Sequence, residues 1–148
     1  MNLKLQVHNG VADVGREAWD ALAQPTGDPF VCYDFLHACE ASGSAAPEQG
    51  WAARHLTLHS EDGALIGAMP LYLKGHSQGE YVFDHSWADA YERAGGRYYP
   101  KLLGAIPFTP ATGPRLLVAE GEDTLTVRQG LIQGAVMLCE QMNLSSVH

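Results

Sequence analysis

The sequence predicts a mixed α/β (α+β) domain with a mainly antiparallel sheet flanked by helices. Two observations lead there. Residues 52–60 and 64–74 are strand-like runs joined by Glu61-Asp62-Gly63, and an Asp-Gly turn between two such runs marks a β-hairpin. A long helical segment at 123–142 lies between strand-like residues 115–119 and 143–148, which makes a strand–helix–strand crossover. At 148 residues the chain forms one domain, 1–148, able to hide roughly 70% of its unfolded surface.

Each element has its own signal. Residues 3–8 alternate apolar and polar, the period of a half-buried strand. Val14, Ala18, Trp19 and Leu22 recur at helical spacing over 14–23, and Gln24-Pro25-Thr26-Gly27-Asp28-Pro29 breaks that helix. A second helix fits 33–42, with Phe35, Leu36 and Cys39 on one face, before the Ser42-Gly43-Ser44 stop. In the hairpin, Leu56 and Leu58 point one way while His55, Thr57 and His59 point the other, toward solvent. Pro70 cannot donate to a ladder, so an edge or bulge is expected there. Residues 86–94 read as a short helix stopped by Gly95-Gly96, and Lys101–Ile106 and Arg115–Ala119 read as strands around a turn-rich loop at 107–114. Leu125, Leu131, Ile132, Val136 and Cys139 supply the stripe of the last helix, which is expected to return its chain parallel to 115–119. The sheet reads as incomplete at the C-terminus.

Charge narrows the function classes. Seventeen acidic against nine basic residues give a net charge of -8, which disfavours non-specific DNA binding. No apolar run approaches the ~20 residues that span a bilayer. The first residues lack a signal-peptide core, so a cytoplasmic location is expected. Three cysteines without CxxC spacing read as reduced thiols.

The chemistry concentrates in 81–115. That segment holds seven of the thirteen aromatics, together with Arg93, Arg97, Lys101 and Arg115, and no acid occurs from Arg93 to Ala119. A local positive strip with aromatic walls suits an anionic or planar ligand. Taken singly, these aromatics read as core and the arginines as solvated. Asp84 and Ser86 read as helix N-cap candidates, with Asp89 completing a capping-box-like pattern, and not as parts of a nucleophile triad. His55 and His59 share a face but have no evident third metal ligand, so no metal site is expected.

The blocks Trp87-Ala88-Asp89-Ala90-Tyr91, Tyr98-Tyr99-Pro100-Lys101-Leu102 and Pro107-Phe108-Thr109-Pro110-Ala111-Thr112-Gly113-Pro114-Arg115, with Pro70-Leu71-Tyr72 upstream, closely resemble a bacterial FemAB-like family of peptidoglycan-biosynthesis proteins with a GNAT-type acyltransferase fold. The resemblance implies a single GNAT-like domain, the N-terminal half of a longer two-domain acyl- or aminoacyltransferase acting on peptidoglycan precursors. It departs from the family pattern at His85, where an aromatic is expected. It also implies an acyl-coenzyme A or aminoacyl-tRNA donor for the full-length protein, and the missing C-terminal half as a partner, so that this chain alone is expected to be inactive. Arg128–Ala135 only partly matches the coenzyme A loop of GNAT enzymes: Leu131 stands where its first glycine belongs, and the run lies inside a helix. The expected substrate-binding residues are Tyr98, Tyr99, Lys101, Thr109, Thr112 and Arg115, with Lys101 and Arg115 on an anionic or peptide-like group; the catalytic residues stay unassigned. A non-catalytic GNAT-like binding or structural module is the alternative. An open sheet edge is expected to favour a homodimer.

Overall fold

A computed structural model describes residues 2–148. The strands are β1 (Lys4–His8), β2 (Trp51–Ala53), β3 (His55–His59), β4 (Leu65–Met69), β5 (Tyr72–Lys74), β6 (Lys101–Leu103) and β7 (Leu117–Val118). The helices are α1 (Arg16–Ala23), α2 (Tyr33–Ala41), α3 (His85–Arg93) and α4 (Thr124–Gln141). One sheet runs β1-β3-β4-β7 and a second runs β2-β5-β6, every named pair antiparallel. Among the described residues no helix is long and apolar enough to cross a membrane.

The expected hairpin is present, but it divides. Gly63, at φ +90°, makes the turn between β3 and β4 in a conformation that glycine adopts without strain. Farther from the turn the same two strands leave the first sheet and become β2 and β5 of the second. The break falls at Arg54 and Pro70, where the proline lacks the N–H a ladder would need. The residue that holds this bend is His55. Its Nδ1 accepts the Leu71 N–H at 3.1 Å, so the ring proton lies on Nε2, which donates to Glu40 Oε1 at 2.6 Å. Glu40 Oε2 in turn accepts the Val11 N–H at 2.9 Å. His55 is therefore fully buried between Trp19 and Tyr72, with both ring nitrogens bonded. The solvent-facing reading of this face is corrected: Thr57 is also fully buried, and its hydroxyl meets His8 at 2.7 Å and His59 at 3.0 Å.

Helices cover both faces of the first sheet. Trp19, Leu22, Val31 and Leu36, from α1, α2 and the turns between them, pack with Ala68 and Leu117. On the other face Val127, Leu131, Ala135 and Cys139 of α4 pack on Leu56, Leu58 and Ile66. This corrects the stripe expected for the helix. Only Leu131 and Cys139 of that set face the sheet, whereas Leu125, Ile132 and Val136 lie on exposed surface. Gly130 and Gly134 allow the close approach: a Cβ on Gly134 would lie 2.6 Å from Leu5 Cδ2, and one on Gly130 2.8 Å from Leu58 Cδ2. After α4 the chain returns beside β6 and not beside β7. Leu102 N–H donates to Ser146 O and His148 N–H to Leu102 O, with Val147 bridged in parallel to Leu102.

Glu40→Ala leaves the His55 N–H and the Val11 N–H without an acceptor at the bend. It should lower unfolding stability by about 2–3 kcal/mol. Urea unfolding with an unchanged slope checks this, and a loss below about 0.5 kcal/mol would contradict the role given to Glu40.

Candidate functional site

The site grows from one cross-strand pair. In the β5–β6 ladder Lys74 stands directly opposite Lys101, and both lysines are buried. Like charges facing each other in a ladder repel, and burial makes each unpaired ammonium more costly. The connection from β5 to α3 resolves this by returning two acids. Glu80 pairs with Lys74, and Asp84 pairs with Lys101. Trp51 donates its indole N–H to Glu80 at 3.0 Å and lies under the Lys74 ammonium, 4.1 Å from its ring centroid. Two members of the positive strip expected from the sequence are paired with acids from outside the segment that seemed to lack them: Lys101 meets Asp84, and Arg115 lies 3.9 Å from Asp28. Arg93 and Arg97 donate to the backbone oxygens of Asp89 and Asn143.

Asp84 is the hub. Its carboxylate accepts from Lys101, from Tyr98 at 2.5 Å, from Tyr99, and from Ser77 at 3.1 Å. Burial alone would favour the neutral acid. The hydrogen bonds from Lys101, Tyr98 and Tyr99 outweigh it and hold the carboxyl well below the usual carboxylate range. Burial likewise favours a neutral Lys101, but its bonds to Asp84 and Tyr98 raise its pKa and keep it protonated. Burial and the Asp84 bond push the Tyr99 phenol strongly upward. The expectation that Asp84 caps α3 is corrected: Asp84 occupies the N-cap position, but its side chain makes no cap bond and serves the network instead.

Above this floor lies a cleft of about 460 Å³. Lys74, Glu80, Asp84, Tyr98, Tyr99 and Lys101 form its polar side, Val82, Phe83 and Trp87 its apolar wall, and His148 part of its rim. Partial burial, together with the Lys101 charge, lowers the His148 pKa from 6.5. A smaller hollow of about 190 Å³ shares Glu80, Val82 and Leu103 with the cleft and continues to Tyr81, Phe108 and Thr109. The wall is open to solvent: Tyr81 is 87% exposed, Phe83 62% and Trp87 75%. These aromatics are not core, in contrast to Tyr98.

Of the residues expected to bind substrate, Tyr98, Tyr99 and Lys101 come together in the cleft, and Thr109 lines the adjoining hollow. Thr112 and Arg115 line neither. Arg115 instead braces the 107–114 loop, donating to Ala111 O at 2.6 Å and Pro114 O at 3.0 Å. Lys74, Ser77, Glu80 and His148 escaped the sequence reading, and Asp84 entered it only as a helix cap. Two acids in the connection that follows the lysine-bearing strand β5 were the signal available for Glu80 and Asp84.

A family model described as FemAB-like, peptidoglycan biosynthesis/recognition, matches residues 10–148. Among solved structures, a Trypanosoma brucei acetyltransferase superposes with a TM-score of 0.50 at 12% identity, covering 99% of this chain and 81% of that one. That likeness is one of fold. No curated protein sequence matches the chain.

The depressed Asp84 pKa has a definite pH signature. Its contribution to stability is complete above the unfolded value of about 3.9 and is lost as pH falls toward the folded value. The stability difference between the native protein and Asp84→Asn should stay level above about pH 4 and shrink below it. Urea midpoints measured across the acid range test this; a difference that does not change with pH would refute it.

Proposed function

We propose that this chain, which belongs to the FemAB-like family of peptidoglycan biosynthesis/recognition, is the N-terminal domain of a longer acyl- or aminoacyltransferase that modifies a peptidoglycan precursor. The observation that carries the reading is the Asp84 cluster, a set of oriented donors at the floor of a cleft in an acetyltransferase-like fold. Acyl transfer to an amine needs an acceptor for the amine proton and donors for the oxygen that becomes negative. Lys101, held protonated, serves as a donor and not as a base. Asp84 and Tyr98 orient it, the Tyr98 hydroxyl accepting from Lys101 at 2.9 Å. His148 has a pKa below 6.5, so it is neutral near pH 7 and can accept the amine proton at the rim.

An acetyltransferase-like fold raises coenzyme A as the donor, and its pyrophosphate would sit at a helix N-terminus. The start of α4 does not fit one. Glu120, Glu122 and Asp123 lie exposed around it, and no cation follows before Arg128. Asp123 accepts the Thr126 hydroxyl, and Gly130 and Gly134 pack into the sheet and cannot cradle a phosphate. This favours a second reading, a non-catalytic binding module.

In the full-length protein, Lys101→Met and His148→Ala should each slow transfer of a labelled amino acid to a lipid-linked precursor by about 100-fold. Unchanged rates in both would remove the transferase reading and leave the module. Coenzyme A should give no thermal shift with this chain; a stabilising shift lost on mutating the start of α4 would contradict the poor fit there.

A further inference from the structure

Building on the cleft as a substrate site, we infer that what it grips is an uncharged, hydroxyl-rich ring, a sugar residue laid against the aromatic wall. The charge count on the floor is the first reason. Two buried ammoniums face two carboxylates in matched pairs, Lys74 with Glu80 and Lys101 with Asp84. The pairs cancel, so the floor carries no net positive charge to favour a phosphate or carboxylate over a neutral ligand.

The aromatic wall is the second reason. Tyr81, Phe83 and Trp87 present large apolar surface to water, and such patches mark binding sites on soluble domains. Trp87 belongs to a helix that stabilises little else: α3 buries only Ala88 and makes no more than marginal contact with any other helix or strand among the described residues. A sugar ring offers a face of C–H groups that packs on an aromatic ring and an edge of hydroxyls that both donate and accept. Ammoniums, carboxylates and phenols side by side on the floor answer that edge with both kinds of partner. The cleft and its adjoining hollow, about 460 and 190 Å³, share Glu80, Val82 and Leu103 and are both lined by aromatics, which offers a second place for a further ring. The outer edge of β6 is already taken by residues 146–148, which leaves an extended peptide no strand edge there to pair with.

Chitotetraose, an uncharged soluble oligosaccharide, is the probe, titrated into the full chain at low and high salt by calorimetry and saturation-transfer NMR. Binding is expected to be insensitive to salt and to weaken about tenfold in Trp87→Ala and in Phe83→Ala. Both side chains are exposed, so both variants should keep the wild-type unfolding midpoint. The inference is overturned if chitotetraose gives neither heat nor saturation transfer, if Trp87→Ala binds it as wild type does, or if inorganic pyrophosphate binds in its place with an affinity that falls as salt rises. Failure of the transferase reading looks different, because transfer would be absent while chitotetraose still bound. Transfer onto a sugar-free peptide amine with the KM of the whole precursor would instead overturn the sugar inference and spare the transferase.

Discussion

Two ammonium groups buried opposite each other on adjacent strands set the terms for half of this molecule. Lys74 and Lys101 could not occupy facing ladder positions without two carboxylates brought to them, and only the connection after β5 supplies these. Glu80 and Asp84 pin that connection at two points. Of the three residues between them, Val82 and Phe83 are thereby held on the cleft and Tyr81 on the adjoining hollow. Since Asp84 also begins α3, the same ion pair fixes where that helix starts and where Trp87 hangs. Floor, wall and helix are thus consequences of one electrostatic requirement.

The second requirement is geometric. The hairpin must change sheets, and the change leaves backbone groups at the bend that need partners inside the protein. His55 answers with a side chain, accepting from Leu71 and passing its own proton toward Glu40. Because Glu40 lies on α2 and also holds Val11, the bend is tied to the layer of helices that covers the first sheet. The lysine-bearing second sheet hangs from that bend, so the cleft is positioned by residues that do not line it.

Periodicity made most of the elements legible. The hairpin, the strand at 4–8 and the helices at 16–23, 33–41 and 124–141 follow from apolar spacing and turn residues, because those signals are local. Pro70 announced an interruption, but a missing N–H does not say which sheet the chain joins next. The α4 stripe failed for a related reason. Its exposed face carries Leu125, Ile132, Val136 and Met137 among its polar residues, and the glycines at 130 and 134, which mark the buried face, have no side chain to announce it. In the site, Tyr98, Tyr99 and Lys101 were legible as a cluster, being neighbours in sequence. Their acid was not: Asp84 has the residue type and position of a helix cap, and only the return of β6 beside β5 offers its carboxylate stronger partners.

The split hairpin also dictates an order of assembly. Its turn at 60–64 closes a very short loop, so zipping outward from Gly63 lays down a pair of strands in each sheet in one local event, of the kind that takes microseconds. Lys74 and Lys101, by contrast, meet only after the 26 residues between them have been gathered, and loop closure of that length carries a larger entropic cost. The scaffold therefore has a local route to its shape, while the cleft is a late, long-range product of the same chain.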